Sequence, residues 1–138
     1  MTDYADWTKN LIADIRANGR PTSGYFEGRP VMVLTTTGAK SGEPRTAVVS
    51  FSRDKDDCVV VGSKSGEPED PAWFTNLVAN PVVTVETDRQ TFQASATVAE
   101  GADRDTLWDR HVAEHQQFAE YPSKTDRIIP IARLKPLG

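Results

Sequence analysis

The run Val31-Met32-Val33-Leu34-Thr35-Thr36-Thr37, closed by the polar loop Gly38-Ala39-Lys40-Ser41-Gly42-Glu43-Pro44-Arg45-Thr46, carries the reading on which the fold class turns. Four consecutive apolar residues bounded by a glycine turn read as a strand. Arg45 to Arg53 reads as a second strand through Val48, Val49 and Phe51. Asp54-Lys55-Asp56-Asp57 is then a charged hairpin turn, and Cys58 to Gly62 returns as a buried strand. A second polar loop, Gly62-Ser63-Lys64-Ser65-Gly66, follows Val59-Val60-Val61 and runs on towards Trp73 and Phe74.

Working outward, Asp70 suits a helix N-cap and Pro71 a first helical position, ahead of the apolar stripe Trp73, Phe74, Leu77 and Val78. Asn80-Pro81 ends that short helix. Val82 to Thr87 and Thr91 to Ala99 read as an antiparallel pair around Asp88-Arg89-Gln90, and the alternation from Gln93 to Val98 predicts one solvated face. Longer helices are expected over Tyr4 to Asn18, through Trp7, Leu11, Ile12 and Ile15 with Gly19 as stop, and over Asp103 to Glu120. Arg20 to Arg29 reads as a loop. Ile128 to Leu134 closes the chain as a strand whose Pro130 favours an edge or bulge. Strands outnumber helices and are mostly joined by short turns, so an antiparallel α+β sheet or small barrel is expected. The chain reads as one domain, an N-terminal helix over residues 1–20 followed by 21–138, with no internal repeat.

Composition narrows the function. A chain of 138 residues with 38% apolar and 26% charged content is an ordinary globular domain. Its formal charge of −4 speaks against a nucleic-acid binder. The charge is uneven, however: Lys40, Arg45 and Arg53 stand against Glu43 alone between Gly38 and Arg53, so a local basic pocket fits on an acidic protein. Cys58 is the single cysteine, which excludes an internal disulfide and a cysteine-rich zinc site and fits a reducing cytoplasm. No apolar run approaches the ~20 residues of a membrane-spanning helix. The stripe of the first helix is expected to pack on the barrel rather than on a membrane surface, since Lys9 and Arg16 are its only basic residues.

Glycine, serine and threonine beside lysine and arginine let backbone N–H groups, hydroxyls and fixed charge converge on an anion. Lys40, Ser41 and Arg45 form one such set, and Ser63, Lys64 and Gly66 repeat the chemistry after the next strand pair. Each loop by itself is also the composition of a plain polar turn; the pairing favours a phosphorylated planar cofactor. Gly62 and Gly66 would let that cofactor approach the backbone. Trp73 and Phe74 could flank a ring, or pack in the core. Neither standard nucleotide fingerprint is present.

His111-Val112-Ala113-Glu114-His115 matches a zinc-hydrolase pattern, but no third ligand is evident, so no metal is expected and two surface histidines on an exposed helix face are the better account. His115, Phe118 and Tyr121 lie three apart, and read as one helix side that could line a substrate mouth.

The ordered combination of Val31 to Gly42 with Arg45, then Gly62-Ser63-Lys64, then Pro71-Ala72-Trp73-Phe74-Thr75-Asn76-Leu77-Val78-Ala79-Asn80-Pro81, resembles the deazaflavin-dependent nitroreductase family. The likeness runs from about Pro30 to Leu134 and includes Thr125-Asp126-Arg127-Ile128-Ile129-Pro130-Ile131. That family uses coenzyme F420 on an antiparallel split β-barrel of the FMN-binding type with flanking helices. The resemblance implies that Lys40, Ser41 and Arg45 hold the coenzyme's phosphate and anionic tail. It also implies that Gly62, Ser63 and Lys64 meet the ring or its side chain, with Trp73 beside it. Ala39 stands where the family has an arginine, and His115 and Phe118 stand where it has tyrosines.

The reaction so implied is hydride transfer from the reduced deazaflavin to a small planar acceptor, a quinone, enone or nitro compound, with the proton following from Ser63, Tyr121 or solvent. His115, Phe118 and Tyr121 would then face the substrate. Two rivals share these loops: an FMN-dependent reductase, and a protein that binds the deazaflavin without turnover.

Overall fold

The computed structural model describes residues 4–22, 28, 30–62, 71–115 and 129–137. Six strands, β1 (Val31–Thr37), β2 (Pro44–Asp54), β3 (Asp57–Val61), β4 (Val82–Thr87), β5 (Gln90–Val98) and β6 (Ile131–Pro136), close into an antiparallel barrel in the order β1-β2-β3-β6-β5-β4. Three helices flank it: α1 (Tyr4–Asn18), α2 (Ala72–Ala79) and α3 (Gly101–Glu114). The antiparallel split-barrel expectation is met. The long strand β2 serves two neighbours in succession. Residues Val31 to Thr37 of β1 pair with Ser50 back to Pro44, whereas Phe51 to Asp54 pair with β3.

The apolar runs have a simple cause. Met32 and Leu34 point into the barrel with Phe51, Val60, Val83, Val85 and Leu134, while Val31 and Val33 lie under Leu11 and Ile15 of α1. With both faces covered, β1 has no place for a polar residue until Thr35. Strand β3 repeats the arrangement, with Cys58 and Val60 inside and Val59 and Val61 against Leu107 of α3. Strand β5 is exposed at Gln90, Thr91, Gln93, Thr97 and Val98, and only Ala94 along it is buried. Helix α2 seals one end of the barrel, since Phe74 and Leu77 join the interior cluster.

Charged contacts pin the outer helices. Arg16 of α1 grips Glu86 through two bonds of 3.0 Å. Gly19, at φ +86, packs against the β4–β5 turn, where an added Cβ would stand 3.2 Å from Asp88 Cα. Asp88 and Arg89 both hold positive φ, the geometry of a two-residue hairpin turn. Arg20 donates to the Asp88 carboxylate at 2.8 Å and holds it below the usual carboxylate range. On the other side, Arg133 binds Asp103 at 2.7 Å and Asp54 at 2.5 Å, tying α3 to the β2–β3 hairpin.

Three boundaries differ from expectation. Helix α2 takes Pro71 as its N-cap, at φ −64 and ψ 150, and the Pro71 carbonyl accepts from Phe74 N–H at 3.0 Å. Asp70 lies outside the described residues, so its expected capping role has no counterpart here. Helix α3 ends at Glu114 rather than Glu120, with His115 already non-helical at φ −129 and ψ 77. Pro130 precedes β6 instead of interrupting it. Its carbonyl accepts from Gly62 N–H at 2.9 Å, which seats the proline where no ladder donor is needed.

Candidate cofactor cleft

The loop after β1 is built to stay sharp. Gly38 N–H donates to the Glu43 carbonyl at 2.8 Å, and Gly42 N–H to the Gly38 carbonyl at 2.9 Å. Gly42 sits at φ +71, which the turn dictates, while a Cβ on Gly38 would lie 2.5 Å from Ser41 Oγ and displace that side chain. Ser41 Oγ accepts from Glu43 N–H at 3.2 Å. Among the described residues, the backbone N–H groups of Lys40 and Ser41 at the loop apex have no protein acceptor.

Helix α2 stands opposite. Between it and the loop opens a cleft of about 690 Å³ whose lining includes Lys40, Ser41, Arg45, Ala47, Trp73 and Asn76. One wall is therefore cationic and hydroxylated, the other carries an indole. Trp73 is half-buried against the barrel core and lies 5.6 Å from the Phe74 ring, centroid to centroid. Arg45 has Glu43 as its ion-pair partner only at 3.7 Å, with both side chains more than half exposed, so its charge remains largely available. No ion-pair partner of Lys40 is found among the described residues. This donor set suits a phosphate next to a planar ring.

Lys40, Ser41, Arg45 and Trp73, predicted to share a site, thus meet in one cleft. Ser63, Lys64, Phe118 and Tyr121 lie outside the described residues. Gly62 corrects its expectation. It is buried, and the space a Cβ would take is held by Phe74 Cδ2 at 2.9 Å and Pro130 Cγ at 3.0 Å. The missing side chain makes room for Phe74 of α2.

The histidines are corrected as well. His111 is 0% and His115 1% exposed, where a surface face was expected. His111 Nδ1 shares a hydrogen bond of 3.1 Å with Ser52 Oγ, and His115 Nε2 donates to the Phe51 carbonyl at 2.9 Å. Their rings stand 4.6 Å apart in the seam between α3 and β2. Burial, and secondarily the neighbouring His115, pushes the His111 imidazole down to about 3, so it is neutral at physiological pH. A buried His115 bound to the backbone does not stand at a substrate mouth. Among the described residues no group of three or more metal-ligating side chains occurs.

Asn76 and Asn80 went unassigned in the sequence although they organise the cleft. Asn76 is 9% exposed; its Oδ1 accepts from Ala39 N–H at 3.0 Å and its Nδ2 donates to Thr36 Oγ1 at 3.2 Å. Asn80 Nδ2 donates to the Thr37 carbonyl at 3.3 Å. The available signal was an i, i+4 asparagine pair on a helix that otherwise presents Phe74 and Leu77 to the core.

Fold and cleft define the class: a split β-barrel carrying a basic, tryptophan-sided cleft at the end sealed by a short helix. Within that class the chain belongs to the F420H(2)-dependent quinone reductase family, whose model matches residues 7–136. An F420H(2)-dependent quinone reductase of Mycobacterium tuberculosis is 38% identical over 121 residues, which is 85% of this chain and 80% of the relative. The solved structure of an F420-H2 dependent reductase, FDR-A, is 36% identical at a TM-score of 0.72, covering 78% of this chain and 95% of its own. A structure described as a domain-swapped dimer is 32% identical at a TM-score of 0.74, covering 96% and 100%.

Proposed function

We propose that this protein is an F420-dependent oxidoreductase that passes a hydride from the reduced coenzyme to a small planar acceptor, a quinone first and an enone or nitro compound by the same chemistry. Family membership supports the coenzyme and the reaction class. The observation that carries the site is the meeting of Lys40, Ser41, Arg45 and Trp73 in one cleft. Reduced F420 supplies the hydride when bound. The chain's own residues bind and orient: Lys40, Arg45 and the free N–H groups of the loop apex grip the phosphate, and Trp73 borders the ring. Ser63 and Lys64 are proposed to extend that grip, with Phe118 and Tyr121 towards the acceptor and Ser63 or Tyr121 as proton donor.

Much of the acceleration then comes from holding two flat partners in register, since alignment replaces a costly bimolecular encounter. F420 is preferred over FMN, and turnover over mere storage. No helix among the described residues is long and apolar enough to cross a membrane. A cytoplasmic location is proposed, in keeping with the lone buried thiol of Cys58. Titration of the protein with F420, FMN and FAD, followed by oxidation of F420H2 with a quinone panel, tests the reading. Binding of F420 with quinone-dependent bleaching is expected. Absence of F420 binding at micromolar concentration refutes it, and binding without turnover returns the carrier role.

A further inference from the structure

Asn76 touches three things at once: the end of β1, the cationic loop and the cleft itself. A buried amide held by a pair of partners, a backbone N–H on one side and a hydroxyl on the other, has its orientation set by the N–H, because rotating it would turn its NH2 onto that donor, whereas the hydroxyl can serve either end. Here the pair is Thr36 Oγ1, on a residue 1% exposed, and the N–H of Ala39, next to Lys40. Around the loop, Gly38, Ala39, Gly42 and Glu43 all spend their N–H groups within the protein. Among the described residues the N–H groups of Lys40 and Ser41 are left over, and two successive N–H groups of this kind beside a lysine make an anion-binding turn.

We propose that Asn76 is the positioning residue of this loop: anchored on Thr36, it holds Ala39 so that the Lys40 and Ser41 N–H groups and the Lys40 ammonium converge on the coenzyme's phosphate. The inference rests on the F420 reading above and adds a residue to it. Without Asn76, the Ala39 N–H loses its acceptor and the loop can turn to satisfy it, drawing the apex away from the anion. Asn80, bound to the Thr37 carbonyl, holds the adjoining segment in place, but among the described residues it makes no hydrogen bond to the loop apex.

The test separates positioning from direct contact. F420 is titrated into the wild-type protein, Asn76→Ala, Thr36→Val, Lys40→Ala and the Asn76→Ala/Lys40→Ala double variant, with thermal midpoints recorded for each. Thr36→Val conserves shape, stays clear of the cleft lining and frees the amide from its anchor. Asn76→Ala should raise the Kd for F420 about tenfold, and Thr36→Val should raise it in the same direction. The loss should fall on KM for F420H2 more than on kcat. In the double variant the two losses should be less than additive, because Asn76 acts through the loop that carries Lys40. In the apoprotein, inorganic phosphate should shift the Lys40 and Ser41 amide resonances of the wild type more than those of Thr36→Val.

An unchanged Kd in Thr36→Val, or strict additivity of Asn76→Ala with Lys40→Ala, overturns the proposal. Should Asn76→Ala fail to fold, Thr36→Val and the phosphate titration decide it. A wild-type protein that binds no F420 sinks the functional reading instead, a distinct outcome.

Discussion

Lowering the pH from 7 to 5 should loosen this fold through His111. The imidazole sits at about 3 in the folded chain against an ordinary 6.5, chiefly because burial disfavours its charged form. Between those values the unfolded chain binds a proton that the folded one refuses, so stability falls as pH falls through this window and is fully present above it. Linkage over two pH units gives a loss of about 2 kcal/mol from this residue. The carboxylates held low by arginine partners, Asp54, Asp88 and Asp103, start from an ordinary 3.8 and so add little above pH 5. Urea unfolding at the two pH values should show the midpoint dropping by about 1 M at a typical urea slope. In His111→Gln, which keeps a polar group near Ser52 Oγ without titrating, the drop should shrink markedly. A wild-type midpoint equal at both pH values, or an equal drop in the variant, would refute the burial argument.

Other expectations concern the cleft and its supports. Lys40→Ala and Arg45→Ala should each weaken F420 binding about tenfold or more, with a shallower salt dependence, readable in a titration at two ionic strengths. Gly62→Ala must push its Cβ into Phe74 and Pro130, at 2.9 and 3.0 Å, so about 1–3 kcal/mol of stability should be lost in denaturant unfolding. Gly19→Ala combines a positive φ with a Cβ 3.2 Å from Asp88 Cα. It should cost about 1–3 kcal/mol, and hydrogen exchange should report earlier opening of α1 while the barrel stays protected.

Much of the architecture was legible from local pattern. Strands β1 to β5 and helices α1 and α2 fall close to where apolar runs, hairpin turns and stop signals put them, because each signal acts over a few residues. The basic loop was legible for the same reason: two glycines, a lysine and a serine within five residues are a local chemistry. Legibility failed where a residue's role depends on a distant partner. Gly62 looked like a cofactor approach, since a glycine after a strand carries no sign of the Phe74 ring that fills its place. His111 and His115 looked like surface groups, being polar and four apart; only the packing of α3 on β2 brings Ser52 and the Phe51 carbonyl to bond one ring nitrogen of each.

Sequence alone therefore determined the elements, the basic character of one loop and the likeness that points to a deazaflavin. Tertiary structure decided closure of the barrel, which pairs β3 with β6 across residues far apart in the chain. It also decided that α2 comes to lie over the loop, so that Trp73 and Asn76 meet Lys40. The physical reason is range: propensity and turn chemistry are fixed within a few residues, whereas burial and hydrogen-bond partners are assigned only when the chain folds back on itself.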